Sequence, residues 1–448
     1  MAGPGLLPNV MTATTIDGMF YNLPKDNSIK HRTSASKIPD TPLNSSPIFS
    51  ISLPPTTNEY YFLESFHLQG AFKVVKIKKE DGTETPLADD DDVSIVSNMP
   101  QALFKLITLH ANEELVSDMS GHYYAYKAYL ETKFSHEKDN VFLKAEQAWI
   151  PDTLGKENAL DKTGGNEGYV KRAKLIKKSA EVPFVIPLHV DFLRIKHLLI
   201  NGVGLRFTFH LADPDQHLLS STFQAKSGTT HSLAIRFTQL SLHYDKFELR
   251  PEVTRQHAER LTREPLDYEF HHRKITSYEI PAKHQGTITT SLARGSLPHV
   301  LLVWMVQNEK LNGLGNNPLT FHHQNVNRVY FSLDDRVITP MYEGLDWTSV
   351  KSILPLYHDV VKGLKLNHPS MTVPFTIEEY MQNGTFFFLN VDACPCLMAH
   401  NHESQKGELF ITLEFKDPIP NSLKLFTYGV YDGLVQIDRE RNVLARAV

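Results

Sequence analysis

The densest group of metal-ligating side chains in the chain is Cys394-Pro395-Cys396 followed by His400-Asn401-His402. Two thiolates and two imidazoles form the donor set of a tetrahedral zinc site. The spacing is tight for one. Paired zinc ligands usually stand roughly two to four residues apart so that the loop can wrap the ion, and Cys-x-Cys is unusual. The spacing favours a loop between two strands with incidental Cys and His, and keeps Cys394, Cys396, His400 and His402 as a zinc candidate. These are the chain's only 2 cysteines. They cannot build a disulfide framework, and a reducing compartment is the simpler expectation.

Other combinations are weaker. His400-x-His402 is also similar to a cupin metal motif, and cupins are themselves jelly rolls. Glu403 is adjacent rather than several residues on, however, and Cys394 stands where a leading Gly is expected. Asp89-Asp90-Asp91-Asp92 offers carboxylates for calcium, but no glycine or closing Glu follows at loop spacing, so a solvated acidic loop is expected. Lys171-Arg172-Ala173-Lys174 with Lys177-Lys178 is the one basic cluster. It could serve nuclear import or face nucleic acid, and a solvated turn is the plainer reading. Gly313-Leu314-Gly315 leads into Asn and Pro rather than a helix, so it is a turn and not a phosphate loop. No nucleophile elbow or triad emerges. The residues give no enzyme and no cofactor. The 22 His residues suggest pH sensitivity at the level of composition alone.

The elements around these residues are β in texture. Residues 66–77 and 103–111 alternate apolar and polar side chains, the period of a half-buried strand, residues 47–53 form a short strand ending at Pro54-Pro55, and 182–188, 204–211 and 233–244 are further strand candidates. Residues 274–280, 327–333, 385–391, 408–415 and 422–431 continue the series, and 300–306 is continuously apolar, as a strand buried on both faces would be. Residues 123–134 are aromatic-rich with apolar side chains at helical spacing. Residues 251–264 open on Pro251-Glu252, a favourable first helical turn. Each half then offers roughly eight short strands between turns, the number a jelly roll needs. The expected fold is all-β: two tandem eight-stranded jelly rolls with a few short helices in loops and an extended N-terminal arm. The expected limits are 1–44 for the arm, 45–250 for the first jelly roll, 251–264 for a helical connector and 265–448 for the second jelly roll.

Composition agrees with a folded chain. The 448 residues suit two domains of roughly 200 residues, and 41% hydrophobic with 22% charged residues is ordinary for a globular protein. The longest apolar stretch falls far short of the ~20 residues that span a bilayer, and residues 1–10 lack the basic and apolar regions of a secretory signal. A soluble chain is expected, which leaves the sequons at Asn44 and Asn383 idle. The formal net charge is −5. A protein that coats nucleic acid directly by charge is normally basic.

Several segments resemble the double-jelly-roll major capsid protein of Polinton (Maverick) elements and the related adintoviruses. Residues 104–131, FKLITLHANEELVSDMSGHYYAYKAYLE, are one. His189-Val190-Asp191-Phe192-Leu193 followed by Leu198-Leu199-Ile200-Asn201-Gly202-Val203 is another. In the second half, Tyr278-Glu279-Ile280-Pro281-Ala282, Leu297-Pro298-His299, Leu311-Asn312-Gly313 and Asn317-Pro318-Leu319-Thr320-Phe321 follow in order. Gly433-Leu434-Val435-Gln436-Ile437-Asp438-Arg439-Glu440-Arg441-Asn442-Val443 closes the series and is its most specific piece. The resemblance covers residues 45–448. The arm matches poorly, and residues 347–373 are not placed by it.

The resemblance implies a structural protein of the virion, not an enzyme. It implies a homotrimer whose six barrels make a pseudo-hexameric capsomer, and an icosahedral shell around double-stranded DNA bound without sequence specificity. Neighbouring capsomers, a single-jelly-roll penton protein and minor capsid proteins are the implied partners, with assembly inside the host cell, in the nucleus. Two other classes stand beside it: a domesticated jelly-roll binding module, which would be a monomer or dimer with one concave site, and a metal-dependent β-barrel enzyme, which would need metal on Cys394, Cys396, His400 and His402.

Overall fold

The computed structural model of the chain describes residues 28–117, 123–136, 140–223, 231–312, 314, 316–367, 375–391 and 405–447. Cys394, Cys396, His400 and His402 lie outside them, as does most of the Gly313-Leu314-Gly315 turn.

The first barrel is built from β1 (Ile29–Lys37), β2 (Ile48–Leu53), β3 (Glu59–Lys78), β4 (Phe104–Ala111), β5 (Glu114–Leu115), β6 (Val182–Pro187), β7 (Leu205–Leu211) and β8 (His231–Leu249). One sheet runs β1-β8-β3-β6 and the other β2-β7-β4-β5, with every pairing antiparallel. The second barrel uses β9 (Leu266–Ile280), β10 (Gly286–Ser296), β11 (Val300–Gln307), β12 (Val326–Leu333), β13 (Arg336–Val337), β14 (Phe387–Asn390), β15 (Lys406–Phe415) and β16 (Leu423–Ile437). Its sheets run β9-β16-β11-β14 and β10-β15-β12-β13. Counted from its own first strand, each barrel therefore has the same two orders, first-last-third-sixth and second-seventh-fourth-fifth. That is a jelly roll twice over. A further strand, β17 (Val443–Ala447), extends the second barrel by pairing with β16.

Alternation explains why most strands were visible in the sequence. Ile51 and Leu53 of β2, Phe207 and Phe209 of β7, and Leu409, Ile411 and Leu413 of β15 all point inward. β11 is buried along nearly its whole length because both faces are covered. Trp304 at its centre is fully buried and stacks on Phe426, with ring centroids 5.4 Å apart.

Two segments differ from the sequence reading. The segment read as an arm contains β1, which opens the first barrel by pairing with β8. Its side chains, Ile29 through Lys37, are almost all exposed, so this edge strand has no buried face to impose an apolar alternation. Residues 347–373, unplaced by the resemblance, contain the helix Val350–Asn367. Its Ile353, Leu356, Val360 and Leu364 are buried at three- and four-residue spacing. It packs on β14 so closely that a Cβ on Gly363 would stand 2.0 Å from the Phe388 ring.

Trp304→Ala is expected to cost about 3–5 kcal/mol of stability, the range for deleting a large aromatic side chain from a packed core. Urea unfolding measures it, and a loss below about 1 kcal/mol would contradict this packing.

Candidate functional site

The side chains that converge most densely lie where the two barrels meet. The helix α1 (Tyr124–Ser135) leaves the first barrel and inserts between them. Its Tyr124 and Ala128 join the first barrel's core, while Tyr126, Leu130 and Phe134 join the second's. Positions four apart share one helix face, so two faces of one helix serve two cores. That is why the sequence shows apolar and aromatic residues around so much of it.

A charged network lies along the same helix. The Glu131 carboxylate, 4% exposed, accepts hydrogen bonds from His189 Nδ1 at 2.6 Å, Tyr428 Oη at 3.0 Å and the Arg194 guanidinium. Asp191, 6% exposed, accepts from Lys127 Nζ at 2.7 Å, the Arg273 backbone N–H at 2.8 Å and Arg273 Nη1 at 3.1 Å. Arg273 and Tyr428 belong to the second barrel; the other members belong to the first half. Burial alone would push both carboxyls up. Arg194, His189 and Lys127 hold Glu131 well below its ordinary value, and Lys127 with Arg273 lowers Asp191. Burial lowers His189, against the pull of Glu131. A carboxylate can only accept, so His189 Nδ1 carries the proton, and its buried Nε2 has no hydrogen-bond partner among the described residues.

Further bonds cross the junction. The turn after β16 is held by Asp438, which accepts from the Asn442 backbone N–H at 2.8 Å. Arg441, at φ 67°, then reaches the first barrel: Nε donates to Asn201 O at 2.7 Å and Nη2 to Asn201 Oδ1 at 3.1 Å. Gly202, at φ +82°, lies beneath it, and a Cβ there would stand 3.0 Å from the Arg441 side chain. Tyr268 of β9 donates to Leu198 O at 2.9 Å. Asn317 of the second half donates to Asp152 Oδ2 at 2.7 Å.

That last contact relocates a sequence candidate. Arg172 of the basic cluster is fully buried and donates to Ile95 O at 2.6 Å, to the Ile150 carbonyl and to Asp152 Oδ1 at 2.6 Å. It positions the carboxylate that Asn317 binds and cannot contact nucleic acid. Lys177 and Lys178 pair with Asp89 at 3.4 and 3.1 Å, and Lys76 pairs with Asp91 at 2.7 Å. The acidic loop is thus paired with basic residues while Asp89 and Asp90 stay exposed. Asn383 donates to Glu157 at 2.7 Å, and Asn44 brackets the backbone of Phe237.

Sequence reasoning missed the network itself. Glu131, His189 and Asp191 lie within the quoted segments, but nothing in their spacing shows that they meet Arg273 and Tyr428. Two other features were invisible to it. A largely apolar cavity of about 550 Å³ opens beside the helix Pro251–Leu261, lined by Tyr60, Leu198, Leu249, Leu261 and Tyr268. His271, His299 and Asp432 form a cluster of donor atoms on neighbouring strands. Among the described residues, no helix is long and apolar enough to cross a membrane.

Comparison with solved structures follows this geometry over the whole chain. A chain of the Sputnik virophage cryo-EM structure matches with a TM-score of 0.61 and 13% identity, covering 100% of this chain and 95% of that one. The Faustovirus major capsid protein matches at 0.58 and 9% identity, over 92% of both chains. The mavirus major capsid protein matches at 0.52 and 10% identity, covering 100% of this chain and 97% of that one. At such identities the likeness establishes the fold, a double jelly roll. No family profile matches the sequence, and no curated protein matches it by sequence.

Arg273→Met leaves Asp191 and Glu131 short of a cation and is expected to cost about 3–5 kcal/mol. Lys171→Met, which removes an exposed pair with Glu167, should change stability by less than about 0.5 kcal/mol. Denaturant midpoints of the two variants test the contrast, and equal losses would contradict it.

Stability should also fall with acid in two stages. Burial holds His217 at about 3, His322 at about 4 and His323 at about 3, against 6.5 in the unfolded chain. The unfolded state then binds more protons below 6.5, so their contribution is complete above that pH and declines as pH drops through it. Glu131 and Asp191, lowered in the folded protein, add a second loss below their unfolded values of 4.5 and 3.8. Unfolding midpoints across a pH series check this, and a flat profile from about pH 7 to about pH 4 would contradict it.

Proposed function

We propose that this chain is a viral major capsid protein, of the Polinton (Maverick) and adintovirus type, that forms homotrimeric capsomers. The observation that carries the reading is the repeated topology: two jelly rolls with the same strand orders, joined by a buried, hydrogen-bonded junction. Likeness to capsid proteins of two viruses along nearly their full length supports it.

The physical logic runs from barrel to shell. A jelly roll uses most of its sheet edges internally and leaves loops at its ends. Three copies of a rigid pair, related by a threefold axis, present six similar barrels and hence a near-hexagonal outline. Such blocks tile flat facets of an icosahedral shell, with a single-jelly-roll penton protein at the vertices and minor capsid proteins between blocks. Val141 and Phe142, 75% and 74% exposed, are large apolar side chains that association between copies would cover. The shell encloses double-stranded DNA without reading its sequence. With a net charge of −5, the protein leaves most phosphate neutralisation to other cations. Assembly takes place inside the host cell, in the nucleus, and the mature location is the virion.

Light scattering of the purified chain should give about 153 kDa, three times the 50.9 kDa protomer. A mass that stays at one protomer across protein concentration, salt and pH would overturn the proposal and favour a binding module.

A further inference from the structure

Three adjacent strands of the second barrel bring His271, Asp432 and His299 together. β16 lies between β9 and β11. His271 of β9 and Asp432 of β16 are direct cross-strand partners. His299, immediately before β11, is fixed from the other side, where its backbone N–H donates to Val430 O at 2.8 Å. The carboxylate thus sits between two imidazoles. His299 Nε2 is 2.8 Å from Asp432 Oδ2, and His271 Nδ1 is 3.6 Å from Asp432 Oδ1. The two rings are 5.9 Å apart at 76°, and one donor atom from each of the three residues lies within 4.8 Å of the others.

A hydrogen-bonded His–Asp–His bridge does not account for all of this. Among the described residues, the buried His271 Nδ1 has no hydrogen-bond partner, since its 3.6 Å contact with Asp432 is too long to be one. A buried ring nitrogen in that position is costly unless something binds its lone pair or its proton. His299 is 6% exposed, Asp432 21% and His271 42%, so the cluster opens from the buried His299 toward the surface at His271. Two neutral imidazoles and one ionised carboxylate are a borderline-soft donor set with a charge of −1, which suits a divalent first-row transition ion. The nearest strong cation on the same strand face, Arg273, is already engaged by Asp191 and Glu131.

We propose that His271, His299 and Asp432 bind one Zn2+ ion, with the fourth position open to water or a further ligand. The two histidine contacts also lower the Asp432 carboxyl, which favours an ionised oxygen donor. Bound zinc would brace β9, β16 and β11 against one another two residues from Arg273, and so stiffen the sheet that supplies Arg273 and Tyr428 to the junction. The donor set contains no sulfur, which separates this site from the Cys394, Cys396, His400 and His402 candidate.

The test uses the untagged full-length chain, stripped with a chelator and titrated with Co2+ and then Zn2+. One Co2+ per chain is expected, with visible ligand-field bands but no near-ultraviolet thiolate charge-transfer band, and Zn2+ should displace it and raise the unfolding temperature. His299→Ala and Asp432→Asn should each weaken binding at least about tenfold, whereas the double substitution Cys394→Ser/Cys396→Ser should leave it unchanged. Absence of binding, a thiolate band, or loss of binding in the double serine variant would each overturn the proposal. Should the His and Asp variants fail to fold by circular dichroism, the cobalt spectrum of the wild-type chain decides the matter alone.

Discussion

Each of the two jelly rolls completes its backbone hydrogen bonding within its own sheets, so the pair must be joined by side chains. Among the described residues, no sheet runs through both barrels, and apart from the covalent connector the backbone bonds between them gather at Leu314, which bridges Leu219 and bonds Asp215 and Ser220. What sets one barrel relative to the other is α1 with the bonds around it, the other side-chain bonds across the junction, and the packing of Tyr268, Val435 and Ile437 into the first barrel's core. Apolar packing alone would leave that relation loosely specified, because hydrophobic contact is non-directional. The carboxylates of Glu131 and Asp191 make it specific. Each is buried, each is satisfied by groups from both halves, and each would lose its second-barrel donor on a small rotation of one barrel. Buried ion pairs are weak evidence for net stability, and their best-attested use is to fix register. Here they would fix the register of two domains.

The same principle explains how the rest of the junction is built. Arg441 occupies a left-handed backbone position in a tight turn whose Asp438 caps Asn442, and its guanidinium then lies over a glycine. Arg172 is fully buried in order to hold Asp152, which in turn receives Asn317. These are long, rigidly held polar reaches between elements distant in sequence. They suit the proposed trimer, since six barrels in a ring can close only if the spacing within each chain is constant.

Most of the fold was legible in the sequence because alternation reports burial. β2 and β7 each bury one clean face, and β11 announced its double burial with an unbroken apolar run. β1 was hidden because an edge strand with exposed side chains carries no such signal. The helix Val350–Asn367 contains Pro355, which argues against a helix locally, and only its buried stripe against β14 reveals it. The junction was legible in part. The segments at 104–131, 189–193, 198–203, 317–321 and 433–443 carry the resemblance, and all of them contribute residues to it. Their mutual contacts were not readable, since nothing in a linear sequence pairs Glu131 with Tyr428 or Asn201 with Arg441. Arg172 is the instructive case: embedded among exposed lysines, it reads as surface charge, yet its position on a short helix turns it inward.

The central claim is that two equivalent barrels are held at a fixed relation so that three chains make a six-barrelled block. Electron cryo-microscopy of the purified chain tests it most directly. The account predicts threefold particles in which six barrels form a near-hexagonal ring, with both barrels of each chain resolved in one constant orientation. Single chains whose two barrels adopt variable relative orientations, or particles without a threefold axis, would contradict it.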